Sequence, residues 1–132
     1  MAYLLTRDAI LQADDLPTED VEVPEWGGTV RVRGLTGAER DAFEASIVEQ
    51  RGKKTRFNMV NLRARLVALS VVDEDGKRVF SDSDVKALGR KSAVALQRVF
   101  KAAQRLSGLT AEDVEELAKN LESDQSEGST FD

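Results

Sequence analysis

The fold turns on the stretch Val60-Asn61-Leu62-Arg63-Ala64-Arg65-Leu66-Val67-Ala68-Leu69-Ser70-Val71-Val72-Asp73-Glu74-Asp75-Gly76-Lys77-Arg78-Val79-Phe80. Leu62, Leu66 and Leu69 recur at helical spacing, and Met59, Val60 and Val67 widen the stripe, which predicts a helix packed on a core. The period stops at Val71-Val72. Asp73-Glu74-Asp75-Gly76 then predicts a turn with Gly76 at positive φ, followed by a short return strand over residues 77–80. A helix feeding a hairpin points to an α+β domain, mainly α, with amphipathic helices and one or two small antiparallel β-hairpins. Nothing in the stretch supplies chemistry.

Upstream, Thr6 is placed to cap a short helix over residues 7–12, with Asp8 in its first turn. Val21-Glu22-Val23 alternates as an edge strand does until Pro24 ends its ladder. Trp26-Gly27-Gly28 makes a tight turn into Thr29-Val30-Arg31-Val32-Arg33, whose valines share one side, so a hairpin is expected over about residues 20–34. Trp26 reads either as an aromatic anchor for a partner or, preferably, as a lid over a sheet too thin to bury itself. Leu35-Thr36-Gly37-Ala38-Glu39 is a capping box that opens a helix over residues 38 to about 50, with Ala42, Phe43, Ile47 and Val48 on one side. The basic cluster over residues 51–56 reads as a helix stop and soluble linker in preference to a phosphate-contacting loop.

Downstream, Ser81 and its neighbours cap a short helix over residues 85–88, ended by Gly89. Ser92 starts a longer one over residues 93 to about 107, which Gly108 stops. Leu96, Val99, Phe100, Ala103 and Leu106 form its stripe, and basic positions such as Arg98 and Lys101 lie away from it. Thr110 caps a last amphipathic helix through Leu121, with Val114, Leu117 and Ala118 on its apolar side. Residues 123–132 form an acidic, polar tail, leaving residues 1–122 as a single domain.

Composition narrows the function. The chain has 132 residues, no cysteine and no histidine, which removes disulfides, thiolate metal sites and the commonest general base. No catalytic activity, cofactor or metal is expected. The N-terminus has no apolar run long enough for a signal peptide, so a cytoplasmic location is expected. Net charge is −5, with acids gathered at both ends and bases in the middle. Residues 1–25 hold seven acids against Arg7, and residues 26–109 hold seventeen bases against nine acids. A DNA-binding regulator would rest on that basic middle alone, and the net sign opposes it. Gly89-Arg90-Lys91-Ser92 lacks the spacing of a phosphate-binding loop. Ser83-Asp84-Val85-Lys86 lacks the companions of a serine–lysine nucleophile. A calcium loop with its glycine at Gly76 would start on Val71, which cannot ligate.

Three segments carry a resemblance: Trp26-Gly27-Gly28 with Val30-Arg31-Val32-Arg33, then Leu35 to Asp41, then Leu66 to Phe80. Together with residues 81–109, and over most of residues 15–122, their order and spacing resemble the tail assembly chaperones of long-tailed phages with non-contractile tails and of prophages. The resemblance implies a small protein of the host cytoplasm that coats the tape measure protein before the tail tube polymerises and is absent from the mature virion. It also implies a longer frameshifted form whose extension contacts the major tail protein. A head–tail connector or tail-completion subunit is the alternative of similar build. Self-association is expected, because the two main helices carry more apolar face than a small hairpin covers. The expected partner surface is Trp26, Phe57, Leu62, Leu66, Leu96 and Phe100, with Arg98 and Lys101 drawing an acidic helix; neither nucleic acid nor membrane is expected as a partner.

Overall fold

The computed structural model describes residues 3–51, 53–109 and 113, with the backbone alone at residues 49–51 and 54–57. Helix α1 (Arg7–Gln12) starts at Thr6, whose Oγ1 accepts from the Ala9 amide, and buries none of its residues. Strand β1 (Thr18–Val23) ends at Pro24. A 3-10 turn over Pro24–Trp26 and Gly27 at φ +74° reverse the chain into β2 (Gly28–Arg33). Pairing of Val21 with Val30 and of Glu19 with Val32 puts the valines of both strands on one face. Asp20 meets Arg31 across the strands, and the hydrogen bond from that guanidinium holds the Asp20 carboxyl below its ordinary pKa.

Helix α2 (Gly37–Ile47) begins with the expected capping box. Thr36 Oγ1 accepts from the Glu39 amide, and Glu39 accepts from the Thr36 amide. Glu39 also takes Arg33 at 2.6 Å, which ties the end of β2 to the start of the helix. The helix stops at Ile47, three residues before the expected end. Val48 is extended and opens β3 (Val48–Arg51), which pairs with β4 (Lys54–Phe57). The basic cluster read as a linker is therefore the tip of a second hairpin. Two consecutive β-branched residues, Ile47-Val48, favour the extended chain there, and Thr55 and Phe57 suit the returning strand. Ala42, expected on the buried side, is exposed, while Phe43 and Ile47 are buried.

Helix α3 (Leu62–Ser70) runs into β5 (Val71–Val72), which adds to β2 and completes an antiparallel sheet of order β1-β2-β5. Gly76 makes the expected turn at φ +81°, but the return segment forms an isolated bridge, Val72–Arg78, in place of a strand, with the Val79 amide donating to the Val71 carbonyl and Arg78 to the Ala68 carbonyl. A 3-10 turn over Asp82–Asp84 leads to α4 (Val85–Leu88), and α5 (Ala93–Leu106) follows with Ser92 Oγ accepting from the Ala95 amide. Gly89 does not leave the right-handed region, so it is no left-handed stop. It serves close approach, because a Cβ there would lie 2.2 Å from Asn61 Oδ1. Gly108, at φ +70°, does stop α5.

Helix α5 lies on β1 and β2, and α3 lies on α5 while also meeting α2 and α4. One core results, holding Val23 and Val32 from the sheet, Phe43 and Ile47 from α2, Leu66 and Val67 from α3, and Leu96, Val99 and Phe100 from α5. Gly34 lets the end of β2 reach the end of α5, since a Cβ there would stand 2.6 Å from the Leu106 carbonyl oxygen. The helix expected from Thr110 to Leu121 lies outside the described residues apart from Asp113, which is helical; the tail lies outside them entirely.

Candidate functional site

On the side of α5 away from the sheet, the first turns of α3 leave a groove of about 570 Å³. Its apolar lining includes Met59, Leu62, Ala64, Leu96 and Phe100, and its polar lining includes Arg63, Lys91, Gln97 and Gln104. The α5 contributors recur at positions 93, 96, 97, 100 and 104, the 3.6-residue period of one helical face. Leu96 and Phe100 are only 5% and 6% exposed, so they form the floor, whereas Met59 is 43% exposed and stands at the edge. A second depression of about 600 Å³ adjoins it along Val94, Arg98 and Lys101, and shares Arg63, Ala93 and Gln97 with it. Val94 is 63% exposed there.

Arg63 divides the two depressions. Its Nε donates to Gln97 Oε1 and its guanidinium lies 5.9 Å from the centroid of the Phe100 ring, within cation–π range. Arg98 is turned toward the sheet, where it donates to both carboxylate oxygens of Glu25, at 2.5 and 3.2 Å. That pairing holds the Glu25 carboxyl below its ordinary pKa. Among the described residues, all the charged ones lining either depression are basic: Arg63, Lys91, Arg98 and Lys101. The field over the groove favours an acidic ligand.

Of the residues expected to meet a partner, Leu62, Leu96 and Phe100 share the groove, and Arg98 and Lys101 line the depression beside it. Leu66 is wholly buried and serves the core. Trp26 is half-buried against the core from the hairpin turn, the lid arrangement, and its indole Nε1 is enclosed without a hydrogen-bond acceptor. Phe57 pairs with Val48 through the backbone, and its side chain lies outside the described part. Arg63, Lys91, Gln97, Gln104 and Val94 were not singled out as site residues. The polar ones sit just beside the apolar stripes, and that flanking position is the signal that could have found them.

Among the described residues the groove's lining offers apolar area, amides and positive charge. Among the described residues, no group of three acidic, histidine or cysteine side chains is gathered as a metal site, and no helix is long and apolar enough to cross a membrane. Such a lining suits an amphipathic protein segment.

A family model described as phage tail assembly chaperone matches residues 6–120. Among solved structures, the chain is similar to the bacteriophage HK97 tail assembly chaperone, with 20% sequence identity and a TM-score of 0.52 over 75% of this chain and 90% of that one. At that identity the likeness speaks for the fold alone. No curated protein sequence matches the chain significantly. The family match runs from the cap of α1 to beyond α5, taking in the sheet and both walls of the groove, and the chain belongs to the phage tail assembly chaperone family.

Proposed function

We propose that the groove between α3 and α5 receives amphipathic helix faces of the tape measure protein and keeps that protein soluble in the host cytoplasm until the tail tube polymerises around it. The observation that carries this reading is an apolar groove with a basic rim on a chain of the tail assembly chaperone family. A long helical client repeats similar faces without repeating a sequence. A floor of Leu62, Leu96 and Phe100 with an adaptable Met59 at its edge selects for apolar shape over sequence. The protein acts without catalysis and leaves before the virion matures. A longer frameshifted form would carry an extension to the major tail protein.

Co-expression with the tape measure protein of the same phage tests the reading. Met59→Gln and Val94→Gln change exposed positions, so they leave the fold intact, and the tape measure protein is expected to move from the soluble to the insoluble fraction. Removal of the residues after Leu121 is expected to raise tape measure binding or leave it unchanged. Folded groove variants that still keep the tape measure protein soluble would overturn the groove assignment. Mass spectrometry of purified virions should find the protein absent.

A further inference from the structure

The N-terminal arm presents the largest unpartnered apolar surface of the described residues. Tyr3, Leu4, Leu5, Ile10 and Leu11 are 88%, 97%, 68%, 55% and 67% exposed, and α1 buries nothing. A helix of six residues is far below the length at which isolated helices persist in water, even with a good cap, so it needs a surface to pack on. The arm also carries exposed acids: Asp8, which pairs with Arg7, and Asp14 and Asp15.

We propose that the arm of one copy, residues 3–15, docks into the α3–α5 groove of a second copy, head to tail. Charge is the first argument, since the arm is acidic and, among the described residues, every charged one lining the groove and its neighbouring depression is basic. Length is the second. Residues 3–6 extended and 7–12 helical reach roughly 20 Å, against roughly 16 Å of α5 between Ala93 and Gln104. Direction is the third argument. Glu19 of β1 accepts from Arg105, and Gly34 lies close to both Pro17 and Leu106, so the arm leaves from the sheet side of α5 while the groove opens on the side of α3. Arm and groove are different surfaces, so in the head-to-tail arrangement the contact is heterologous and each copy gives one arm and accepts one. The proposal does not depend on the tape measure reading; where both hold, the client displaces the arm.

Because the chain has no cysteine, single-cysteine variants of the full chain test this directly. Leu11→Cys and Gln97→Cys, one of them carrying a mass tag, are mixed and oxidised gently. Both positions lie outside the buried core, so the fold is kept. The mixed disulfide dimer is expected to exceed its statistical share several-fold over the two homodimers, and molar salt or Lys101→Glu with Lys91→Glu should reduce that excess. A statistical mixture, or no cross-link, overturns the proposal. So does a Leu11→Cys/Gln97→Cys double variant that closes within one chain at low concentration, which would make the arm a lid on its own groove. A within-chain cross-link of Gln97→Cys to Leu117→Cys would assign the groove to the acidic C-terminal segment instead, and overturns it equally.

Discussion

Helices α3 and α5 lie against each other and carry similar leucine-rich stripes, yet they are held in opposite ways. Helix α5 has a hydroxyl cap at Ser92, a left-handed glycine stop at Gly108, and a buried side of Ala95, Leu96, Val99, Phe100, Ala102 and Ala103 opposed by exposed Val94, Lys101 and Arg105. Helix α3 starts at Asn61, which sits at φ +57° with no side-chain cap, and its buried residues Ala64, Leu66, Val67, Ala68 and Ser70 run nearly all round it. The expected stripe was a poor guide to that burial, since Leu62 and Leu69 are half-buried while Met59 and Val60 lie outside. In α5 local signals and surroundings agree. In α3 the surroundings do the holding: α5, α2 and α4 enclose it, and Arg65 donates to the Ser46 carbonyl at 2.7 Å, the Ser46 hydroxyl, and the carbonyls of Asn58 and Val60. Burial pushes the Arg65 pKa down, and those oxygens compensate the charge.

The largest consequence is for the middle of α3. Leu66→Ala should lower unfolding free energy by about 3 kcal/mol in urea, because no solvent reaches the site and its walls come from several elements. Val94→Ala on the outer side of α5 should stay within about 0.5 kcal/mol. An equal loss at both positions would show that α5 is enclosed as α3 is.

The helix starts give a smaller difference. Ser92→Ala removes an acceptor from the Ala95 amide and should cost about 1 kcal/mol. Asn61→Gly removes no cap and relieves a left-handed residue, an effect offset by the greater freedom of glycine in the unfolded chain, so the change in thermal midpoint should correspond to no more than about 0.5 kcal/mol.

The smallest effect is electrostatic and belongs to α5, whose Arg98 meets the Glu25 carboxylate, whereas Arg63 and Arg65 of α3 donate to an amide, a hydroxyl and backbone carbonyls. Glu25 has a folded pKa below its unfolded one, so the Glu25–Arg98 tie contributes fully above about pH 4.3, the ordinary value. It is lost as pH falls through the lower folded value. Arg98→Gln should flatten the acid limb of a stability–pH curve slightly, with neutral-pH stability little changed because the pair is solvent-exposed.

Much was legible because it rested on neighbours in the chain. The caps at Thr6, Thr36 and Ser92, the turn at Gly27, the edge strand ended by Pro24 and the stop at Gly108 each depend on residues within one turn, and each stands where the side chains place it. The second hairpin was not legible, because a basic run spanning the facing ends of two four-residue strands looks like a helix stop and linker until the strands pair. The groove was half legible. Leu62, Leu96 and Phe100 were found from their period, but the period marks an apolar side without saying how deeply a neighbour covers it, so Leu66 could not be told from them.

Periodicity, caps and breakers settled the kind of protein: a small chain of capped amphipathic helices with an antiparallel hairpin, without cysteine or histidine to do chemistry. Such signals act over four or five residues and survive any rearrangement at longer range. Which side of α3 is covered, where β5 joins the sheet, and the meeting of Arg63 with Gln97 and Phe100 depend on residues more than thirty positions apart in the chain. Those contacts exist once α5 is seated on β1 and β2, and burial in three dimensions has no counterpart in local spacing.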